Sequence, residues 1–414
     1  MDAIEFLKSH GMAAGAIDPL AESEGFLRAM EAGLRGEGGL PMVPTYLNAQ
    51  GELPQNIPTA VIDAGGTNFR RAIVRFEGGG YKVSKLMKTT MPGVKEPCSW
   101  EDFVRFTADN IEPVLAQAER VGFCFSYMAD ITPDRDGYDP RFTKQVSIAG
   151  SRGKHICASV KDELSRRGIE GKKFVLLNDT AAVLLGVSAT LNKEDFGGFI
   201  GLVSGTGTNT CCLLPQRGVL KLHSQSDRKI LINLESGYYM DLPRGDFDRE
   251  LDDESNDPGH CHHEKMTSGA YVGELIRLCA RGAAKEGLIS DRILRAGRMD
   301  TAAADAWCAG EGLEELTGNR SDKDFISALA LEIFDRAARC VAANILGILR
   351  LTGEGGEKPV CVCAEGSLYL RSRFFAPLLH KYTAEGAQKL GRGVVFKTSE
   401  DTTLQGSAAA ALLN

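Results

Sequence analysis

Two segments of this chain carry the same donor-rich turn. Ile62-Asp63-Ala64-Gly65-Gly66-Thr67-Asn68-Phe69-Arg70 and Val203-Ser204-Gly205-Thr206-Gly207-Thr208-Asn209 each follow one apolar run and lead into another. The flanking runs, Ala60-Val61-Ile62 with Ala72-Ile73-Val74 and Phe199 to Val203 with Cys211 to Leu214, read as strands. A glycine turn between strands lets backbone N–H groups converge on an anion, because glycine accepts positive φ and has no side chain in the way. Thr67 and Thr206 add hydroxyl donors. One such turn is most often only a tight hairpin. Two of them, each containing Gly-Thr-Asn, suggest a clamp on a polyphosphate with one jaw from each half of the chain. Neither fits the helix-opening Gly-x-x-x-x-Gly-Lys-Ser/Thr loop. Asp63 beside the first turn would repel phosphate unless a cation intervened, which implies Mg²⁺ held through water. A turn residue bonding its own backbone accounts for Asp63 equally simply.

The second constellation is Asn178-Asp179-Thr180, where a buried strand delivers a carboxylate to a helix N-terminus. The helix dipole keeps such an Asp ionised, and strand ends face ligand crevices in α/β sheets. A plain N-cap produces the same pattern. A third set places polar residues in apolar settings: Ser126 after Phe125, Thr143-Lys144 after Phe142, Asn233 and Glu235 after Ile232, and Glu264-Lys265. Sugar hydroxyls need such paired donors and acceptors, although each residue alone is ordinary surface or core. His260-Cys261-His262-His263 has metal-ligand residue types, but four consecutive side chains cannot all reach one ion and no second cluster stands at ligand spacing. Cys361 and Cys363 alternate onto one face of a strand and read as buried packing.

The elements that must position these groups follow from periodicity. Residues 1–40 read as helical and end at Gly36 to Gly39, and strands occupy about 58–90 with a Gly78-Gly79-Gly80 turn. Helices are predicted over 100–120, 154–167 and 180–190, and strands over 121–127 and 173–177. In the second half, 264–281 reads as one helix, and Ser321 is the expected N-cap of a long helix stopped by Gly353. A strand over 359–363 precedes Glu365-Gly366-Ser367, and 406–413 is a helix of small residues. This alternation indicates an α/β fold with two similar lobes.

Composition narrows the class. A net charge of -7 disfavours a nucleic-acid binder. No apolar run approaches the ~20 residues of a membrane span, and the first ten residues lack the basic-then-apolar order of a signal peptide. Eleven scattered cysteines, an odd number, read as reduced thiols in a cytoplasm.

Taken in order, these motifs resemble the hexokinase family, sugar kinases of the actin-like ATPase fold, and specifically a bacterial-type member with a single catalytic unit. The resemblance runs from about Leu40 to the C-terminus. It includes Met42-Val43-Pro44-Thr45-Tyr46, both glycine turns, Thr143-Lys144, Asn178-Asp179-Thr180 and Asn233-x-Glu235. It continues through Pro258-Gly259 with Glu264-Lys265-Met266, then Ser268-Gly269, Tyr271-x-Gly273-Glu274-Leu275, Glu365-Gly366-Ser367-Leu368-Tyr369 and Ser399-Glu400-Asp401. The chain departs from the family's usual residues at Tyr127-Met128, Gln145, Ser236 and Cys261. It also has Thr402-Thr403-Leu404-Gln405 where a glycine-rich turn is usual.

The resemblance implies two ribonuclease H-like lobes, with mixed sheets flanked by helices. The expected small lobe is 58–192 plus 399–414, and the large lobe 1–57 plus 193–398. It further implies ATP-dependent phosphorylation of the 6-hydroxyl of a hexose, glucose above all, with Mg²⁺. Asp179 is then the base, with Lys144 and Arg70 adding positive charge near the transferred group. Asp63, Gly65, Gly66, Thr67, Asn68, Gly205, Thr206 and Gly207 belong to the phosphate side, and Gly366 with Ser367 to the adenosine side. Ser126, Thr143, Lys144, Asn178, Asp179, Asn233, Glu235 and Glu264 are the expected sugar contacts. The partners are small molecules, with neither nucleic acid nor membrane among them. The alternative within the same fold is a sugar-sensing regulator with little or no turnover.

Overall fold

The computed structural model describes residues 1–142 and 146–414. Thr143 and Lys144, expected to contact substrate, lie outside the described residues, as does Gln145. The chain forms two compact units. One, the second-turn unit, holds Met1–Pro41, Phe196–Thr210 and Leu234–Phe396; the other, the first-turn unit, holds Met42–Asp195, Cys211–Asn233 and Lys397–Asn414. The segments 42–57 and 211–233, expected in the large lobe, thus belong to the unit that carries the first turn. Val43–Pro44 runs antiparallel to Lys229–Asn233, which also pairs with residues 211–215, so these three strands stay together.

The first-turn unit is built on a five-stranded sheet. Its spatial order is Lys173–Leu177, Arg120–Phe125, Thr59–Ala64, Asn68–Glu77 and Gly80–Thr90. The first three strands are parallel and the last two turn back antiparallel. Thr59–Ala64 is buried along its whole length, as a central strand covered on both faces must be. The amphipathic helix Trp100–Leu115 packs Phe103, Ile111 and Val114 into a core with Phe123 and Phe125. Each such side chain contributes about 1.5–3 kcal/mol by leaving water. This helix opens on a Ser99/Asp102 capping box. It ends at Leu115 rather than near Arg120, because Arg120 already opens a strand paired with Lys173.

Two helices complete this unit's functional edge. Asp179–Ser188 follows the strand Lys173–Leu177 directly. Thr402–Leu413 lies against it and starts four residues before the expected Gly406. A Cβ on Gly406 would collide with the Ala182 carbonyl, and one on Gly186 with the Thr402 carbonyl. The two helices therefore touch backbone to backbone.

In the second-turn unit, Gly198–Ser204 runs parallel to Val360–Glu365, with Val203 opposite Glu365. The helix Arg320–Thr352 runs beside Pro19–Arg35. Its cap is Asn319, whose side chain accepts the Asp322 amide, so Ser321 lies inside the helix; Gly353 ends it at φ +68°. The single helix expected over 264–281 is two, His262–Thr267 and Val272–Lys285. Tertiary contact causes the break: the Gly269 amide donates to the Gly205 carbonyl at 2.7 Å. A Cβ on Gly269 would press within 2.8 Å of that same oxygen.

Among the described residues, no helix is long and apolar enough to cross a membrane, and no cysteine forms a disulfide. Cys361 and Cys363 share one strand face, their sulfurs 4.0 Å apart.

Candidate active-site halves

The first turn is shaped from behind. Gly65 N–H donates to the Asn68 carbonyl at 2.9 Å, closing the hairpin. The Tyr127 hydroxyl points at both the Gly65 and Gly66 carbonyls, at 2.8 Å each. Gly66, Thr67 and Asn68 are exposed, so this rim is open to an anion. Burial pushes the Tyr127 phenol's pKa up, which keeps its proton for the turn. Tyr127 therefore buttresses the first turn.

Strand register brings Asp63 and Arg70 together, since they stand opposite each other in the antiparallel pair. Arg70 Nε and Nη2 reach Asp63 Oδ2 at 2.9 and 2.5 Å. Burial opposes the guanidinium charge, but Asp63 more than restores it and raises the Arg70 pKa. Asp63 is thus more than a turn residue: it is a nearly buried carboxylate whose Oδ2 is neutralised and whose Oδ1 takes no part in those contacts. Ser126 sits beside this strand end, its amide bonded to the Ala64 carbonyl at 3.1 Å.

The strand-to-helix step at 178–179 separates two roles. Asn178 is the N-cap, its Oδ1 accepting the Ala181 amide at 3.0 Å. Asp179 is the first helical residue, half-buried. Its Oδ1 takes the Thr180 amide at 2.7 Å and the Thr180 hydroxyl at 3.2 Å. These donors fix the carboxylate's orientation at a helix end that suits a negative group. The capped helix thus holds one carboxylate at its first position, fixed and partly open to solvent.

In the other unit the second turn is held the same way. Gly205 N–H bonds the Gly207 carbonyl at 2.9 Å, while the Gly205 and Thr206 carbonyls are taken by the amides of Gly269 and Ala270. Gly366, at φ +116°, has no room for a Cβ because the Ser204 carbonyl occupies that space. A Cβ on Gly205 would lie 3.2 Å from the Ser367 amide nitrogen. Gly366-Ser367 and the second turn are therefore in direct contact within this unit.

The carboxylates expected at the sugar are tied to that turn. Glu264 Oε2 accepts the Thr208 amide at 3.2 Å. Asn209 Oδ1 accepts the amides of Thr210 and Ser236, at 2.7 and 3.1 Å. Glu235 adopts φ +56°, unusual for a non-glycine residue. Such strain persists only where surroundings over-determine it. Here the Ser236 amide is held by Asn209, and the Ser236 carbonyl by His263 Nδ1 at 2.9 Å. Asn233, two residues before Glu235, belongs to the first-turn unit; it is 5% exposed and paired in register with Cys211 and Val43.

The His260–His263 run divides its work. His262 meets Arg244 and Asp252, whereas His263 faces Ser236. Among the described residues no group of three or more His, Cys, Asp or Glu side chains could hold a metal. Lys265, adjacent to Glu264, turns inward to Asp252 at 2.7 Å. Burial would raise the Asp252 pKa, but Lys265, the Gly259 amide and Arg244 hold it down at about 2.

Sequence reasoning singled out the glycine turns, Asp63, Arg70, Asp179, Glu235 and Glu264, and each lies in one of these clusters. It passed over Tyr127, Asn209, His263 and Thr403 as positioning groups. Tyr127 was visible only as a departure from the family's usual residue, because nothing in a sequence says where a hydroxyl will point.

Comparison with known proteins follows the same two halves. Two family models, both described as hexokinase, match residues 18–189 and 199–413. Hexokinase-1 of Nicotiana tabacum is 28% identical, with 93% of this chain and 85% of that protein aligned. Hexokinase-2 of Homo sapiens is 27% identical over 93% of this chain and 45% of its own length. In fold, the chain matches a hexokinase of Schistosoma mansoni solved with glucose, at 24% identity and a TM-score of 0.78, covering 99% of this chain and 98% of that one. With both turns, the capped Asp179 helix and family models spanning both halves in agreement, the chain belongs to the hexokinase family.

Proposed function

We propose that this chain transfers the γ-phosphoryl group of ATP to the 6-hydroxyl of a hexose, with glucose as the preferred sugar. The observation that carries the reading is Asp179, a carboxylate fixed at the first position of a capped helix. In this reading Asp179 takes the proton of the sugar hydroxyl as its oxygen attacks the γ-phosphorus, the bond from that phosphorus to the β–γ bridging oxygen breaks, and ADP leaves. Phosphoryl transfer depends mainly on positioning and charge stabilisation, so one base and a preorganised donor set suffice.

In the first-turn unit, the Gly66 amide, the Thr67 hydroxyl and Asn68 donate to phosphate oxygens, Gly65 shapes the turn through its bond to the Asn68 carbonyl, and Arg70 supplies positive charge. Lys144 adds a second cation, and Thr143 with Ser126 contacts the sugar. Asn178 offers the sugar its NH₂, since its amide oxygen caps the helix. Asn233 contributes a further amide. In the second-turn unit, Gly205, Thr206 and Gly207 hold phosphate, Gly366 and Ser367 hold the adenosine side, and Glu235 with Glu264 accepts sugar hydroxyls.

The donor chemistry fits Mg²⁺, which binds one or two carboxylates plus substrate phosphates and keeps several waters. Asp63 is the carboxylate that would hold it, through water, and the ion would offset charge on the phosphates.

The test is ADP release over a panel of hexoses with wild type and Asp179→Asn. Wild type is expected to be fastest with glucose. Loss of a general base costs about 10²–10⁴-fold in rate, so Asp179→Asn is expected to fall by that range while glucose still raises its melting temperature. Thermal stabilisation of wild type by glucose without ADP release from any hexose would refute the reading and make the chain a sensor.

A further inference from the structure

The hydroxyl of Thr403 sits where two groups of the phosphate side meet. Arg70 Nη2 donates to Thr403 Oγ1 at 2.7 Å, and Thr403 Oγ1 lies 3.2 Å from Asp63 Oδ2. Because Arg70 Nη2 also reaches Asp63 Oδ2, the three atoms close a triangle. A hydroxyl has one proton and two lone pairs, so it accepts from the guanidinium while donating to the carboxylate. Thr403 is 8% exposed and Asp63 6%, leaving water little access to replace it.

Thr403 is itself placed with precision. It lies in the first turn of the Thr402–Leu413 helix, which meets neighbouring backbone at three glycines. A Cβ on Gly406 would strike the Ala182 carbonyl, one on Gly186 the Thr402 carbonyl, and one on Gly122 the Ser407 carbonyl. Ala182 and Gly186 belong to the helix that opens on Asp179. The same helix pair thus sets both the carboxylate at 179 and the hydroxyl at 403.

We infer that Thr403 is a positioning residue of the phosphate side, its hydroxyl holding the Asp63–Arg70 pair in the geometry that meets the nucleotide. The inference rests on the proposed reading of the first turn as a phosphate site. It gives the Thr402 to Gln405 segment, which departs from the family's glycine-rich turn, a task toward the phosphates.

Thr403→Val keeps the shape and removes the hydroxyl, and Thr403→Ser keeps the hydroxyl and removes the methyl. Both are compared with wild type for kcat, KM for ATP, KM for glucose, melting temperature and the Kd of Mg²⁺-ADP by calorimetry. Losing hydrogen bonds to charged partners predicts about a tenfold fall in kcat/KM for ATP in Thr403→Val. The Kd for Mg²⁺-ADP should weaken comparably, with KM for glucose unchanged. Thr403→Ser is expected to recover most of the loss. If Thr403→Val does not fold, Thr403→Ala takes its place in the comparison. Wild-type values in the hydroxyl-free variant would overturn the inference, as would equal losses in Val and Ser, which would indicate packing alone. If wild type turns over no hexose but binds Mg²⁺-ADP, the kinase reading fails and the ADP affinities decide the inference. If wild type binds no Mg²⁺-ADP, both fall.

Discussion

His263 is fully buried, and its desolvation makes the stability of this chain depend on pH. Burial lowers its pKa from 6.5 to about 4, against the Ser236 carbonyl hydrogen bond that pulls the other way. In the folded chain the ring is neutral down to about pH 4, while in the unfolded chain it takes a proton below about pH 6.5. Between those values the unfolded state binds the extra proton, so stability falls as pH falls through this window. At about 1.4 kcal/mol per pH unit, the full gap amounts to about 3 kcal/mol. Most of it, about 2 kcal/mol, is lost between pH 7 and pH 5.

Other groups titrate nearby with different signatures. Asp252, held at about 2, withdraws its contribution only as pH falls below the ordinary carboxylate range. His10, raised by Asp246 and Glu286 against partial burial, has the opposite sign. His380, lowered by burial, has the same sign as His263. Comparison with His263→Asn cancels these terms, because Asn keeps an N–H for the Ser236 carbonyl and does not titrate. The assay is urea unfolding followed by the fluorescence of Trp100 and Trp307 at pH 7 and pH 5. Wild type is expected to lose about 2 kcal/mol more than the variant over that interval. Parallel losses in the two proteins would refute the argument that this imidazole is buried neutral.

Two substitutions test the second-turn unit. Glu235→Gln removes a charged acceptor worth about 1.5–3 kcal/mol, so KM for glucose should rise roughly 10- to 100-fold with a smaller change in kcat; an unchanged sugar affinity would remove Glu235 from the sugar side. Gly366→Ala places a methyl against the Ser204 carbonyl at φ +116°. It should destabilise the protein by about 1–3 kcal/mol and raise KM for ATP; wild-type kinetics and melting would show that this contact does not shape the nucleotide side.

Much of the fold was legible because its strongest signals are local. Lys173–Leu177 is a strand over the residues its apolar run marks, and the hairpin around Gly78-Gly79-Gly80 forms between strands as its composition dictates. The misses arise where distant residues decide. The run from Glu264 to Arg281 has helical character throughout, yet it breaks at Ser268–Tyr271 because Gly269 docks on Gly205. Asn319 wins the N-cap from Ser321 because its side chain reaches the Asp322 amide, and Asp322 in turn accepts from Gly318 and Ser290.

The amino-acid sequence by itself determined the chemistry available: two glycine turns with threonines, a carboxylate leading a helix, and two further carboxylates, one just after an apolar strand and one in a helix. Those follow from residue type and short spacing, which local backbone preferences translate directly. Only the tertiary structure decided which groups hold the others in place. Asp63 and Arg70 meet through strand register, Tyr127 closes on the first turn from a different strand end, and Thr403 reaches Asp63 from 340 positions away in sequence. Hydrogen bonds of that kind depend on side-chain direction to within a fraction of an ångström, and that direction is set by packing.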